Sequence, residues 1–256
     1  MKTKEEIVNN WLPRYTGTPL KEFSKYILLV NFEEYLRMFS EWYNVPIRGM
    51  EKPMPNVTAE GITLINFGMG SPNAATVMDL LSAVKPQACL LLGKCGGLKR
   101  KNNLGDLILP IAAIRGEGTS NDYFPPEVPA LPAFNLQKAV STTIRNHDRD
   151  YWTGTVYTTN RRVWEHDEKF KAYLRLIRVM AIDMETATLF ITGFHSQIPT
   201  GALLLVSDQP MIHSGIKTGR SDKKVTQKYL EMHLRIGIDS LKELINNGET
   251  VKHLRF

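Results

Sequence analysis

Two carboxylates hold the positions in this chain best suited to acid–base chemistry. Glu185 follows the short apolar segment Met180-Ala181-Ile182, and Asp208 closes the unbroken apolar run Ala202-Leu203-Leu204-Leu205-Val206-Ser207. Between them Thr186, Ala187 and Thr188 are small enough for a helix to pack closely, and Ile198-Pro199 restarts the chain. The pattern reads strand, helix, strand, with each strand handing over at a carboxylate. A continuous apolar run marks a strand covered on both faces. In open α/β sheets ligands bind beyond the carboxyl ends of the strands. Glu185 and Asp208 are therefore the candidate catalytic pair, delivered there by consecutive strands. Asp183 is better suited to a structural role.

Other chemistries have weaker support. Glu165-His166-Asp167-Glu168 is rich in ligands, but its acids suit the first turn of a helix, where the dipole favours them. No H-E-x-x-H or comparable pair completes a metal site, so no metal is expected. Lys94-Cys95 has no histidine near it in sequence, and Cys95 reads as a buried thiol. Gly68-Met69-Gly70 ends an apolar segment ahead of a helix, a corner able to bind an anion or a hydroxyl. The third glycine of a dinucleotide fingerprint is missing, because Asn73 stands there, and in isolation the segment reads as a tight turn.

The elements that must position these residues alternate strand and helix along the chain. Helices are expected near the N-terminus and over 32–42, 74–84, 136–146, 167–176 and 222–246. Strands are expected over 26–31, 61–67, 88–92, 106–114 and 151–159, besides the two that carry the carboxylates. Residues 93–98, with three glycines around Lys94, read as a loop where backbone approaches something closely. Residues 122–132 hold four prolines and read as a structured loop or lid. We expect one domain over 1–256, with 1–25 an extension packed on it, and a three-layer α/β/α architecture around a twisted mixed sheet.

Composition narrows the setting. The 256 residues are 43% hydrophobic and 23% charged, ordinary for a globular protein. No apolar run approaches the ~18 residues of a membrane span, and the N-terminus lacks a signal-peptide core. A cytoplasmic protein without a membrane partner is expected. The net charge of +6 raises the question of nucleic acid. The cations are dispersed, apart from Lys99-Arg100-Lys101 and residues 217–228, with no RNP-type aromatic pattern or zinc finger beside them. A solvated basic surface and an anionic small-molecule ligand fit better than nucleic acid.

Taken together, Gly68-Met69-Gly70-Ser71-Pro72, Gly93-x-Cys95-Gly96-Gly97, Asp183-Met184-Glu185 and Ser207-Asp208 resemble, in order and approximate spacing, the nucleoside phosphorylase and nucleosidase superfamily. Within it, a closer resemblance is to the AMP nucleosidase family, in its short form. It is carried by Arg14-Tyr15-Thr16-Gly17, Gly154-Thr155-Val156-x-Thr158-Thr159 with Trp164, and Ser207-Asp208-x-Pro210 with Ile216-Lys217. The resemblance implies a nucleoside phosphorylase-like fold and hydrolysis of AMP to adenine and ribose 5-phosphate. No cofactor is implied, although phosphate or a nucleotide could regulate. A homo-oligomer is implied, a hexamer in the family.

By the same resemblance Met184 and Glu185 contact the ribose and Asp208 protonates N7 of the leaving purine. Gly70, Gly96 and Trp164 would line the substrate, with Trp164 either stacking on adenine or anchoring the next helix. Lys94, Lys217, Arg220 and Arg48 are candidate anion ligands, Arg48 reaching a neighbouring subunit; Arg161 and Arg162 are further candidates. Such roles suit the chemistry: the sugar develops oxocarbenium character while the departing base needs a proton. Phosphorylases of the superfamily carry a Gly-Asp-Pro-x-Arg-like loop after the first strand and an arginine ahead of the central glycines. Here Asn31-Phe32-Glu33-Glu34-Tyr35 and Leu91 stand in those places, which favours water as nucleophile. The alternatives are a purine nucleoside phosphorylase or another purine nucleosidase and, from a different class, a non-catalytic nucleotide- or RNA-binding protein.

Overall fold

The computed structural model describes residues 2–247; Met1 and residues 248–256 of the expected domain lie outside the described residues. The elements run α1 (Lys4–Thr16), β1 (Tyr26–Val30), α2 (Glu33–Tyr43), β2 (Asn56–Ala59), β3 (Ile62–Asn66), α3 (Ser71–Leu81), β4 (Ala88–Gly97) and β5 (Leu107–Gly116). They continue with α4 (Phe134–Asn146), β6 (Tyr151–Thr159), α5 (Glu168–Leu176), β7 (Ala181–Asp183), α6 (Thr186–His195), β8 (Thr200–Asp208) and α7 (Gly219–Asn247).

One sheet orders the strands β2-β3-β1-β4-β7-β6-β5-β8, and β8 also pairs with β4, so five of the strands close on themselves. The sheet is mixed. β1 is parallel to β3 and β4, and β4 to β8, whereas β2–β3, β4–β7 and β5–β8 are antiparallel. Side chains alternate across it as the period of two requires. Cys89 and Leu91 of β4, with Ala202, Leu204 and Val206 of β8, join the core beneath α3 and α6. Leu90 and Leu92, with Leu203 and Leu205, join the core beneath α2, α4 and α7. Both central strands are buried along their whole length, which is why they read as unbroken apolar runs.

One expectation is corrected, and two features of the sheet were not foreseen. The glycines 93–97 do not form a loop; β4 runs through them. Their lack of side chains admits close neighbours instead: a Cβ on Gly96 would stand 2.8 Å from Pro210 Cγ and 3.2 Å from Ile182 Cγ2. Strand β2, not anticipated, forms a hairpin with β3 through Glu60 and Gly61, both at positive φ (52° and 75°). That is the geometry that matches the right-handed twist of paired strands. Finally, the two consecutive strands that carry the carboxylates both pair with β4. β7 runs antiparallel to β4 and β8 parallel to it, and a register shift after Cys95 sets both Ile182 and Asp208 opposite Gly96.

Candidate active site

The carboxylates converge on a cavity of about 220 Å³ at the end of the sheet where β1, β4 and β8 finish. A wider cavity of about 760 Å³, lined by Lys4, Lys25, Lys85 and His195 among others, lies where the same strands begin. The smaller one is the candidate site, because the buried carboxylates face it.

Asp183 organises one wall. Its carboxylate accepts hydrogen bonds from the Thr158 hydroxyl (2.7 Å) and from the backbone N–H groups of Glu185 (3.2 Å) and Thr186 (2.7 Å). It thereby fixes the turn from β7 into α6 and satisfies donors that a helix start leaves unpaired. Glu185, 2% exposed, sits on that turn. It accepts the Gly70 N–H at 2.7 Å on Oε1 and the Met184 N–H at 3.3 Å on Oε2. The Gly68-Met69-Gly70 corner thus presents its donor to the chain's own glutamate. Gly70 holds φ at 96°, a region open to glycine at little cost. Burial, and next the charge of Asp183, push the Glu185 carboxyl above its ordinary range, against the hydrogen bonds it accepts.

Asp208, 8% exposed, ends β8. The Ser207 hydroxyl donates to its Oδ1 at 2.6 Å and lies 3.3 Å from Lys217 Nζ. Burial raises the Asp208 carboxyl; the Ser207 hydrogen bond and the charges of Lys217 and Arg162 oppose the rise. A buried carboxyl held above its usual range can act as an acid near neutral pH.

Met184, Gly96, Trp164, Lys94 and Lys217 also line the cavity, as do Arg161 and Arg162. Trp164, 4% exposed, meets Phe170 of α5 edge-on and packs with Leu98, Leu174 and Val179, so it anchors that helix while bordering the cavity. Asp167 caps α5 by accepting the Phe170 N–H, as its place in the acidic stretch suggests. Two predicted residues are not brought in. Arg48 pairs with Glu22 and lies in a bridge to Asn56, while Arg220 is exposed on the first turn of α7. The extended backbone at Arg48 pairs with β2, and Arg220 points its helix turn to solvent, so neither reaches this chain's own cavity.

Sequence reasoning missed Asn31, Phe32, Glu165 and Asp222, which line the cavity too. Asp222 carries the most charge chemistry. Its Oδ1 accepts Lys94 Nζ at 2.9 Å and Lys217 Nζ at 3.1 Å. Burial works to raise its carboxyl, but the Lys94 hydrogen bond and the two positive charges hold it below the ordinary range. Lys94 is lowered by desolvation despite that partner. An acid in the first turn of a helix was the only signal, and such acids are common. Among the described residues no group of His, Cys, Asp and Glu is placed to hold a metal ion. No helix among them is long and apolar enough to cross a membrane.

Comparison with known proteins bears on the fold and the family. The crystal structure of an AMP nucleosidase from Bacteroides thetaiotaomicron is 58% identical, with a TM-score of 0.87 over 96% of this chain and 99% of that one. The AMP nucleosidase of Escherichia coli K12 is 30% identical over 93% of this chain; the chain spans 58% of that relative's length. A uridine phosphorylase from Vibrio fischeri, 21% identical, shares the fold with a TM-score of 0.75 over 88% of this chain and 93% of its own. The mixed α/β architecture expected from the sequence is therefore the nucleoside phosphorylase-like fold. The phosphorylase superfamily profile matches residues 25–243, and with the site built on that same stretch, the chain belongs to the phosphorylase superfamily.

Proposed function

We propose that this chain is an N-glycosyl hydrolase that cleaves AMP with water to adenine and ribose 5-phosphate. One observation carries the reading: two buried carboxylates, Glu185 and Asp208, both raised by burial and held by different partners, face one cavity. The names of the two nucleosidase relatives supply the substrate. Asp208 donates its proton to N7 of the purine as the C1′–N9 bond lengthens, which leaves adenine neutral. Ser207 holds the carboxyl in place from Oδ1. Glu185, held by the Gly70 and Met184 N–H groups, accepts the ribose hydroxyls and steadies positive charge on the sugar. Met184 packs beside the ribose and Trp164 borders the base. Arg161, Arg162 and Lys217 are the cavity cations for the 5′-phosphate; arginine suits it bidentately and lysine as a point charge.

Water is the nucleophile in this reading, since Leu91 is buried where the superfamily's phosphorylases carry an arginine by resemblance. The reading carries with it a cytoplasmic, cofactor-free homo-oligomer, hexameric by resemblance, in which Arg48 serves a neighbouring subunit and Arg220 contributes only if the first turn of α7 closes. AMP incubated with the protein in phosphate-free buffer should yield adenine and ribose 5-phosphate. Phosphate-dependent loss of adenosine or inosine, with AMP untouched, would make the chain a phosphorylase instead.

A further inference from the structure

The deepest cation of the cavity is already occupied. The Lys94 side chain is 4% exposed, and its ammonium donates to Asp222 Oδ1 at 2.9 Å and to Thr226 Oγ1 at 2.8 Å. It also stands 4.2 Å from the centre of the Phe32 ring. An ammonium has three donors. Two are taken by α7 and the remaining side faces an aromatic ring, itself a favourable seat for a cation. Lys217 shares the same Asp222 oxygen at 3.1 Å. One carboxylate oxygen between two ammonium groups is the arrangement a phosphate oxygen would adopt there.

We propose that Asp222 determines which anion the site accepts: its carboxylate fills the anion position at Lys94 and Lys217 and so excludes inorganic phosphate from the floor of the cavity. The inference rests on the hydrolytic reading of the site and deepens it. A free phosphate entering beside Lys94 must either displace Asp222, leaving a carboxylate without its cations, or sit against a like charge. Both are unfavourable in a partly desolvated cavity. Water carries no charge and meets neither obstacle. The contact also ties α7 to β4, and a purely structural ion pair would have the same geometry, so the test must read anion affinity as well as stability.

Calorimetric titration of inorganic phosphate at fixed ionic strength separates the two, with saturating ribose 5-phosphate present throughout so that the 5′-phosphate position is already filled. The wild type should show no saturable binding. Asp222→Asn, which keeps the shape and can still accept the Lys94 hydrogen bond, should bind phosphate at least about tenfold more tightly. Asp222→Glu should restore exclusion, and adding Lys94→Met to Asp222→Asn should abolish the gain. Equal phosphate affinity in wild type and Asp222→Asn overturns the proposal, as does a gain that survives Lys94→Met. If Asp222→Asn does not fold, the wild type decides: with saturating ribose 5-phosphate present, a melting temperature that rises further with phosphate but not with chloride overturns exclusion, and an unchanged one supports it. AMP cleavage by the wild type is followed in parallel without phosphate. Its absence would remove the hydrolase reading while leaving the anion result to stand by itself.

Discussion

At the scale of single residues, Asp208 and Glu185 have carboxyls raised by burial, whereas Asp222, between two lysines, is lowered. Carboxylates whose environments push them apart mark a division of roles. As a proton donor, Asp208 works while protonated, so the rate should fall as pH rises through its elevated folded value. Asp208→Asn keeps the contact with Ser207 but has no proton to give. It should lower kcat by roughly 10²–10⁴-fold and remove the alkaline fall from the pH–rate profile. A variant as fast as wild type, or one with the same alkaline limb, would show that another group protonates the base. Glu185 and Asp208 were legible in the sequence because each ends an apolar run, a local signal. Asp222 was not: it meets Lys94 across 128 residues of chain, and that distance leaves no mark in spacing. Arg48 and Arg220 looked as suitable as the cavity lysines, since a residue's type says nothing about which way its backbone carries it.

At the scale of elements, the site depends on how closely α7 lies on β4, because Asp222 and Thr226 reach Lys94 only from that helix. Gly237 sets the approach. A Cβ there would come 2.6 Å from Leu92 Cδ1 and 2.8 Å from Cδ2, and Leu92 is fully buried in the core beneath the helix. Alanine improves helix propensity by about 1 kcal/mol, while overpacking a filled core costs about 1–3 kcal/mol. Gly237→Ala should therefore lower the denaturant midpoint. It should also let inorganic phosphate bind more tightly than in the wild type, as the shifted helix carries Asp222 away from Lys94 and Lys217. A variant of unchanged or higher stability would mean that the helix has slack against the strand. The periods of 3.6 and 2 placed most helices and strands within a few residues. They did not reveal β2, the direction of β7 or the closure of β8 onto β4, which arise from pairing between segments far apart in sequence.

At the scale of the whole molecule, two helical layers press on one sheet, and the layer of α2, α4 and α7 is joined to it by a buried polar contact. His233 of α7, fully buried, pairs through Nδ1 with the Tyr35 hydroxyl of α2 at 2.7 Å and through Nε2 with the Leu203 carbonyl of β8 at 3.0 Å. The carbonyl can only accept, so Nε2 carries the proton and Nδ1 accepts from Tyr35, which fixes a neutral imidazole. Burial accordingly holds His233 down to about 4, from an ordinary 6.5. The unfolded chain takes up a proton below 6.5 that the folded chain refuses. The stability that His233 contributes is thus present above pH 6.5 and lost as pH falls toward 4, by up to about 3 kcal/mol. Glu185 and Asp208 act in the opposite sense, since carboxyls raised by folding favour the folded state at low pH and lose that contribution as pH rises. The net pH profile mixes both, so the histidine is isolated by difference. His233→Gln can keep a donor and an acceptor but does not titrate. Urea midpoints of wild type and variant, measured from pH 7.5 to 4.5, should therefore converge as pH falls, the wild type losing its advantage below about pH 6.5. A constant gap across that range would mean that His233 takes up its proton alike in the folded and unfolded chains, so that burial between Tyr35 and Leu203 does not hold it neutral.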